Sequence, residues 1–100
     1  MNHALDASAI VAYLEGEPGG TVVAALLADP NAFCYAHSVN LCEVYYQGIR
    51  RKGMPAVQNA MASLYADGVI ERRDMSLRFW HRAGELKANG RISLPDCYCI

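Results

Sequence analysis

Three acids stand among apolar neighbours. Asp6 lies in Ala4-Leu5-Asp6-Ala7-Ser8-Ala9, Glu43 in Leu41-Cys42-Glu43-Val44-Tyr45-Tyr46, and Asp96 in Ile92-Ser93-Leu94-Pro95-Asp96-Cys97-Tyr98. Other acids, such as Glu15, Glu17, Asp67, Glu71 and Glu85, neighbour glycines or other charges and read as solvated. If the first three converge, they repel: at about 5 Å and an effective dielectric near 20, each pair costs roughly 3 kcal/mol. Either their pKa values rise or a divalent cation neutralises them. An all-oxygen, multi-carboxylate site suits Mg²⁺ or Mn²⁺. Such ions activate water and offset charge on a scissile phosphate, so the chemistry indicated is phosphodiester hydrolysis.

Each acid also has a plainer reading. Asp6 fits a cap or Asx-turn residue at a strand-to-helix junction. Asn40, Glu43, Gln47 and Arg50 recur at the spacing of a solvated helical stripe. Asp96 follows Ser93 by three positions, as in a capping box. Function therefore requires that the three acids reach one rim, and that depends on the elements that carry them.

A short apolar strand, His3 to Leu5, ends at Asp6 and runs into a helix with Ile10, Val11 and Leu14 on one face and Ser8 as N-cap. A second helix covers Thr21 to Ala28, and Ala32 to Ala36 reads as a second strand. Ser38 caps a helix over about Val39 to Arg51, and Pro55 opens another over roughly 55–66. Val69-Ile70 is a third strand. Asp74 or Ser76 caps a helix to Ala88 with Leu77, Trp80 and Gly84 on one face, and Ser93 to Asp96 opens a last helix. The order β-α-α-β-α-α-β-α-α, with short unalternating strands, predicts an α/β fold with a parallel sheet covered on both faces. Ligand sites in such sheets lie beyond the C-terminal strand ends. Asp6 is at such an end if the first strand is central, and Glu43 and Asp96 are near the starts of following helices.

One hundred residues make one domain. With 53% hydrophobic and 19% charged residues, a disordered chain is excluded. The net charge of -1 predicts neither a nucleic-acid partner nor a membrane surface by itself. No uncharged run approaches the roughly 20 residues of a membrane span, and the N-terminus lacks the order of a secretory signal. Cys34, Cys42, Cys97 and Cys99 form no CxxC pair and read as reduced thiols of a cytoplasmic protein. Zinc is disfavoured because Cys97 and Cys99 point to different faces of a helix. Arg50-Arg51-Lys52 complements the dipole at a helix end, and His37 reads as a satisfied structural histidine.

The segments LDASAIVAYLEGEPG at 5–19, SVNLCEVYYQG at 38–48 and ISLPDCYCI at 92–100 resemble the three acidic blocks of PIN domains, and among them those of VapC-like toxins of toxin–antitoxin pairs. The resemblance spans residues 1–100 as a single PIN-like domain. It implies a three-layer α/β fold, a short parallel sheet flanked by helices. It implies a metal-dependent endoribonuclease that hydrolyses RNA with Mg²⁺ or Mn²⁺ held by Asp6, Glu43 and Asp96, with Ser8 and Asn40 as accessory positions near the metal. It also implies a cognate antitoxin as partner.

The family carries a fourth acid near the end of a fourth strand, then a last helix, and this chain stops at Ile100 before both. The expectation is a domain shortened at its C-terminus. A second reading follows: a catalytically silent module that binds an antitoxin or a copy of itself. An open sheet edge and apolar faces around Tyr98, Cys99 and Ile100 further predict a homodimer.

Overall fold

A computed structural model of the chain describes residues 1–90 and 94–98, with the side chains of Leu94 and Asp96 outside that description. The expected capping by Ser93 and the apolar end at Cys99 and Ile100 also lie outside the described residues. The chain runs β1 (Asn2–Ala4), α1 (Ala7–Glu15), α2 (Gly20–Ala28), β2 (Phe33–His37), α3 (Ser38–Lys52), α4 (Met54–Ala66), β3 (Ile70–Arg72), α5 (Leu77–Asn89) and α6 (Leu94–Cys97). The expected order of elements is the observed one. The strands form a parallel sheet in the order β1-β2-β3, with Ala4 beside Tyr35 and Tyr35 beside Ile70. The central strand is thus β2, and among the described strands β1 is an edge, contrary to the condition under which Asp6 was placed at a central strand end.

Alternation along β2 separates the two faces of the sheet. Cys34 and Ala36 point into a core with Leu5, Ala7, Ile10, Val23, Leu41, Val44, Leu64 and Val69. Phe33 on the other face is half exposed. At the end of that face, His37 is buried under Phe79 and Tyr98, each ring 5.1 Å away by centroids. Cys34 and Cys97 are buried free thiols and Cys42 is an exposed one, so only part of the cysteine set belongs to the core.

Capping decides where the helices begin. Leu5 still pairs its N–H with the Tyr35 carbonyl (2.7 Å), which keeps the chain extended up to Asp6. Asp6, rather than Ser8, is the N-cap of α1: its Oδ1 accepts the Ala9 N–H at 2.8 Å. Gly16 ends α1 in the left-handed region at φ 67°, and α2 departs at 90° to α1. His37, rather than Ser38, caps α3 through Nδ1, which accepts the Val39 N–H at 3.1 Å. Its Nε2 donates to the Asp74 carbonyl at 2.8 Å, so both ring nitrogens are satisfied and the neutral ring carries its proton on Nε2. Ser76 caps α5. On α5 the expected face of Leu77, Trp80 and Gly84 is exposed, and the buried residue is Ala83. At the other end of α3, Arg51 and Lys52 each reach Glu15 of α1 at 3.5 Å. These are exposed pairs of small energetic weight. No single helix among the described residues is long and apolar enough to cross a membrane.

Glu71 departs most from its expected solvated role. Its carboxylate accepts from Ser38 Oγ (2.8 Å), Tyr65 OH (3.0 Å) and Arg73 Nε (2.8 Å), tying β3 to α3 and α4. The Arg73 hydrogen bond, then that of Ser38, holds the carboxyl below its ordinary value of 4.5. A carboxyl depressed by folding stabilises the native state above its unfolded pKa, and that contribution fades as pH falls through the folded value. Glu71→Gln is therefore expected to cost about 1–2 kcal/mol at pH 7. In urea melts the gap from the wild type should narrow toward pH 3. A gap that is the same at both pH values would show that the charge contributes nothing.

Candidate active site

The extended chain leaving β1 delivers Asp6 to the start of α1, where its side chain is half-buried and one oxygen is committed to the cap. Two residues on, Ser8 is exposed. Opposite, α3 turns its apolar residues Leu41 and Val44 into the core, which leaves Glu43 half-buried at the margin. Gln47, one turn further along α3, donates to Glu43 Oε1 at 3.3 Å. Between α1 and α3 lies an open groove of about 320 Å³ lined by Ala7, Ser8, Val11, Glu17, Glu43, Gln47 and Arg51. Ser8 and Glu43 thus share one groove. Asp6 does not line it but directly precedes Ala7, which does.

Asn40 is fully buried, so the stripe Asn40-Glu43-Gln47-Arg50 is not a solvated face along its length. The stripe emerges from the core at Glu43 and reaches solvent at Arg50, whose guanidinium lies 5.2 Å over the Tyr46 ring. Asn40 Oδ1 accepts the Ala7 N–H at 3.2 Å and its Nδ2 donates to the Pro95 carbonyl at 2.9 Å. Asp96 belongs to α6, next to Pro95, and the direction of its carboxylate is outside the described residues.

Sequence reasoning missed Glu17, Gln47 and Arg51 as groove residues. Arg51 was legible only as a helix-end cation, and Glu17 enters the groove through the turn that follows Gly16, which no periodicity reports.

The donor set is one of hard oxygens. Glu17, Glu43 and Ser8 line the groove, and among the described residues neither imidazole nor thiol does. His37 cannot serve as ligand or proton carrier there, because both its ring nitrogens are engaged. Such donors suit a hard divalent ion. Among the described residues no three His, Cys, Asp or Glu side chains gather closely enough to hold a metal ion.

The profile of the PIN domain matches residues 4–100. The chain belongs to the PIN domain family. No curated protein sequence matches it. Solved structures share its fold. The crystal structure of VapBC2 from Rickettsia felis, bound to a DNA fragment from their promoter, superposes with a TM-score of 0.73 at 18% identity, covering 99% of this chain and 77% of that one. The structure of VapC20 from Mycobacterium tuberculosis, a toxin that cleaves the sarcin-ricin loop, gives 0.70 at 16% identity, covering 98% and 77%. At these identities the likeness is one of fold. This PIN domain has the expected architecture, a short parallel sheet flanked by helices, with a groove between α1 and α3.

Proposed function

We propose that this PIN domain is a metal-dependent endoribonuclease of the toxin–antitoxin type, with RNA as substrate and a cognate antitoxin as partner. Asp6, Glu43 and Asp96 are the acids proposed to hold Mg²⁺ or Mn²⁺, with Ser8 beside them. The observation that carries this reading is the groove in which the α1 N-terminal turn, with Ser8, faces Glu43, within a chain matched by the family over residues 4–100. The bound ion would supply activation of water and relief of charge at the scissile phosphate. The chain's own residues have simpler tasks. Gln47 orients Glu43 through its hydrogen bond. Ser8, exposed at the start of α1, offers a hydroxyl toward RNA. Self-association as a homodimer is part of the proposal.

The test is cleavage of single-stranded RNA by the purified chain with Mg²⁺ or Mn²⁺, with and without chelator. Cleavage should stop with chelator, and Glu43→Gln should lower it at least tenfold at unchanged folding, the scale of losing one ligand-sphere group. A folded wild type that binds RNA or antitoxin but never cuts would replace this reading with that of a silent binding module.

A further inference from the structure

We infer that Asn40 is a positioning residue whose buried carboxamide sets the mutual placement of the three acid-bearing segments; the inference rests on the ribonuclease reading above. Its side chain is fully buried and both its polar atoms are engaged by backbone groups, so it acts through those hydrogen bonds. What it touches is more telling. Oδ1 takes the N–H of Ala7 at 3.2 Å, immediately after Asp6. Nδ2 gives its proton to the carbonyl of Pro95 at 2.9 Å, immediately before Asp96. Glu43 stands one helical turn along α3 from Asn40 itself. One amide therefore joins the three segments of chain that bear the acids.

The chemistry of the residue suits this junction. The Ala7 N–H is at the first position of α1, where a helix offers no internal acceptor. The Pro95 carbonyl accepts the Tyr98 N–H at 3.0 Å and has a second lone pair for the carboxamide. A neutral carboxamide supplies one acceptor and one donor from a short side chain. An ionised aspartate would bring a second acceptor to the carbonyl, and leucine would leave the Ala7 N–H unpaired in the core and the Pro95 carbonyl with the Tyr98 N–H alone. Among the described residues no buried side-chain polar atom lacks a partner, so the tie is complete as it stands.

The test compares wild type, Asn40→Leu and Asn40→Thr. Metal-free samples are read by hydrogen exchange at the Ala7 amide, and Mn²⁺ uptake is read by calorimetry. In Asn40→Leu the Ala7 amide should exchange at least about tenfold faster, and Mn²⁺ affinity should fall by about 10–100-fold, the usual effect of removing a group that orients ligands. RNA cleavage should lose kcat with KM held. Threonine, whose hydroxyl both donates and accepts, should recover part of each. Should the leucine variant fail to melt cooperatively, the threonine variant carries the comparison and is expected to bind Mn²⁺ several-fold more weakly than wild type. Wild-type Mn²⁺ affinity in the folded variants overturns this inference alone. A wild-type chain that takes up no Mn²⁺ overturns the ribonuclease reading, and this inference with it.

Discussion

Asp6→Asn is expected to remove Mg²⁺-dependent RNA cleavage by at least about a hundredfold, the scale on which one preorganised charge acts at a reacting centre, while leaving the fold intact. The separation is possible because Asp6 has two tasks. As N-cap of α1 it accepts the Ala9 N–H at 2.8 Å. Asparagine caps a helix as well as aspartate does, through the same Oδ1, so α1 keeps its start. What the substitution removes is the negative charge proposed to attract the ion, and with it repulsion from any acid nearby. The melting temperature should therefore stay level or rise slightly. Asp6→Ala removes cap and charge together and should cost about 1 kcal/mol, or roughly 4–8 °C in a domain of this length. Cleavage assays and thermal melts on the two variants check both halves. An Asp6→Asn chain that cuts RNA at the wild-type rate would leave Asp6 as a cap and nothing more.

The second large effect is on stability. His37→Leu is expected to lose about 3 kcal/mol, from three losses of similar size. The α3 cap through Nδ1 is worth about 1 kcal/mol. The Nε2 bond to the Asp74 carbonyl is worth about 1 kcal/mol, and its loss strands that acceptor. The ring contacts with Phe79 and Tyr98, which also touch each other, add roughly 0.5–1.5 kcal/mol. For a small domain this is a melting temperature lower by roughly 12–24 °C. His37→Asn restores a cap without the ring, and should recover about 1 kcal/mol. Thermal and urea unfolding of the three proteins measures each share. Equal stability of the leucine variant and wild type would show that the site tolerates an apolar plug.

Much of this was legible in advance, and the reasons are local. Alternating short apolar runs and helical periodicity place every element in order, because burial of a strand or helix face shows in consecutive residues. His37 was legible as a structural histidine for the same reason: it sits between an apolar strand and a helix start. Helix starts shifted where two capping residues competed. Ser8 and Asp6 cap helices about equally well, and strand pairing at Leu5, which holds the chain extended only as far as Asp6, decides between them. Histidine has little capping propensity, so nothing in the sequence set His37 above Ser38. The part that was not legible is the part that joins distant segments. Glu71 looked solvated because its partner Ser38 is 33 positions away. Asn40 read as one member of a stripe because Ala7 and Pro95 are 33 and 55 positions from it. The order of strands, with β2 in the centre, leaves no mark in any single stretch of residues.

That strand order also constrains how the protein assembles in time. Asn2 pairs with Phe33 and Tyr35 with Ile70, so each strand pairing closes a loop of more than thirty residues. Among the described strands no hairpin is present to seed the sheet, and closing such loops before any contact rewards them is entropically uphill. The helical pairs α1–α2 and α3–α4 are the local units that can form early and bring the strands together. Substitutions where Gly48 packs closely against Val57, between α3 and α4, are therefore expected to act on the rate of folding. Those at the tie from Asn40 to Pro95, which spans 55 residues, are expected to act mainly on the rate of unfolding.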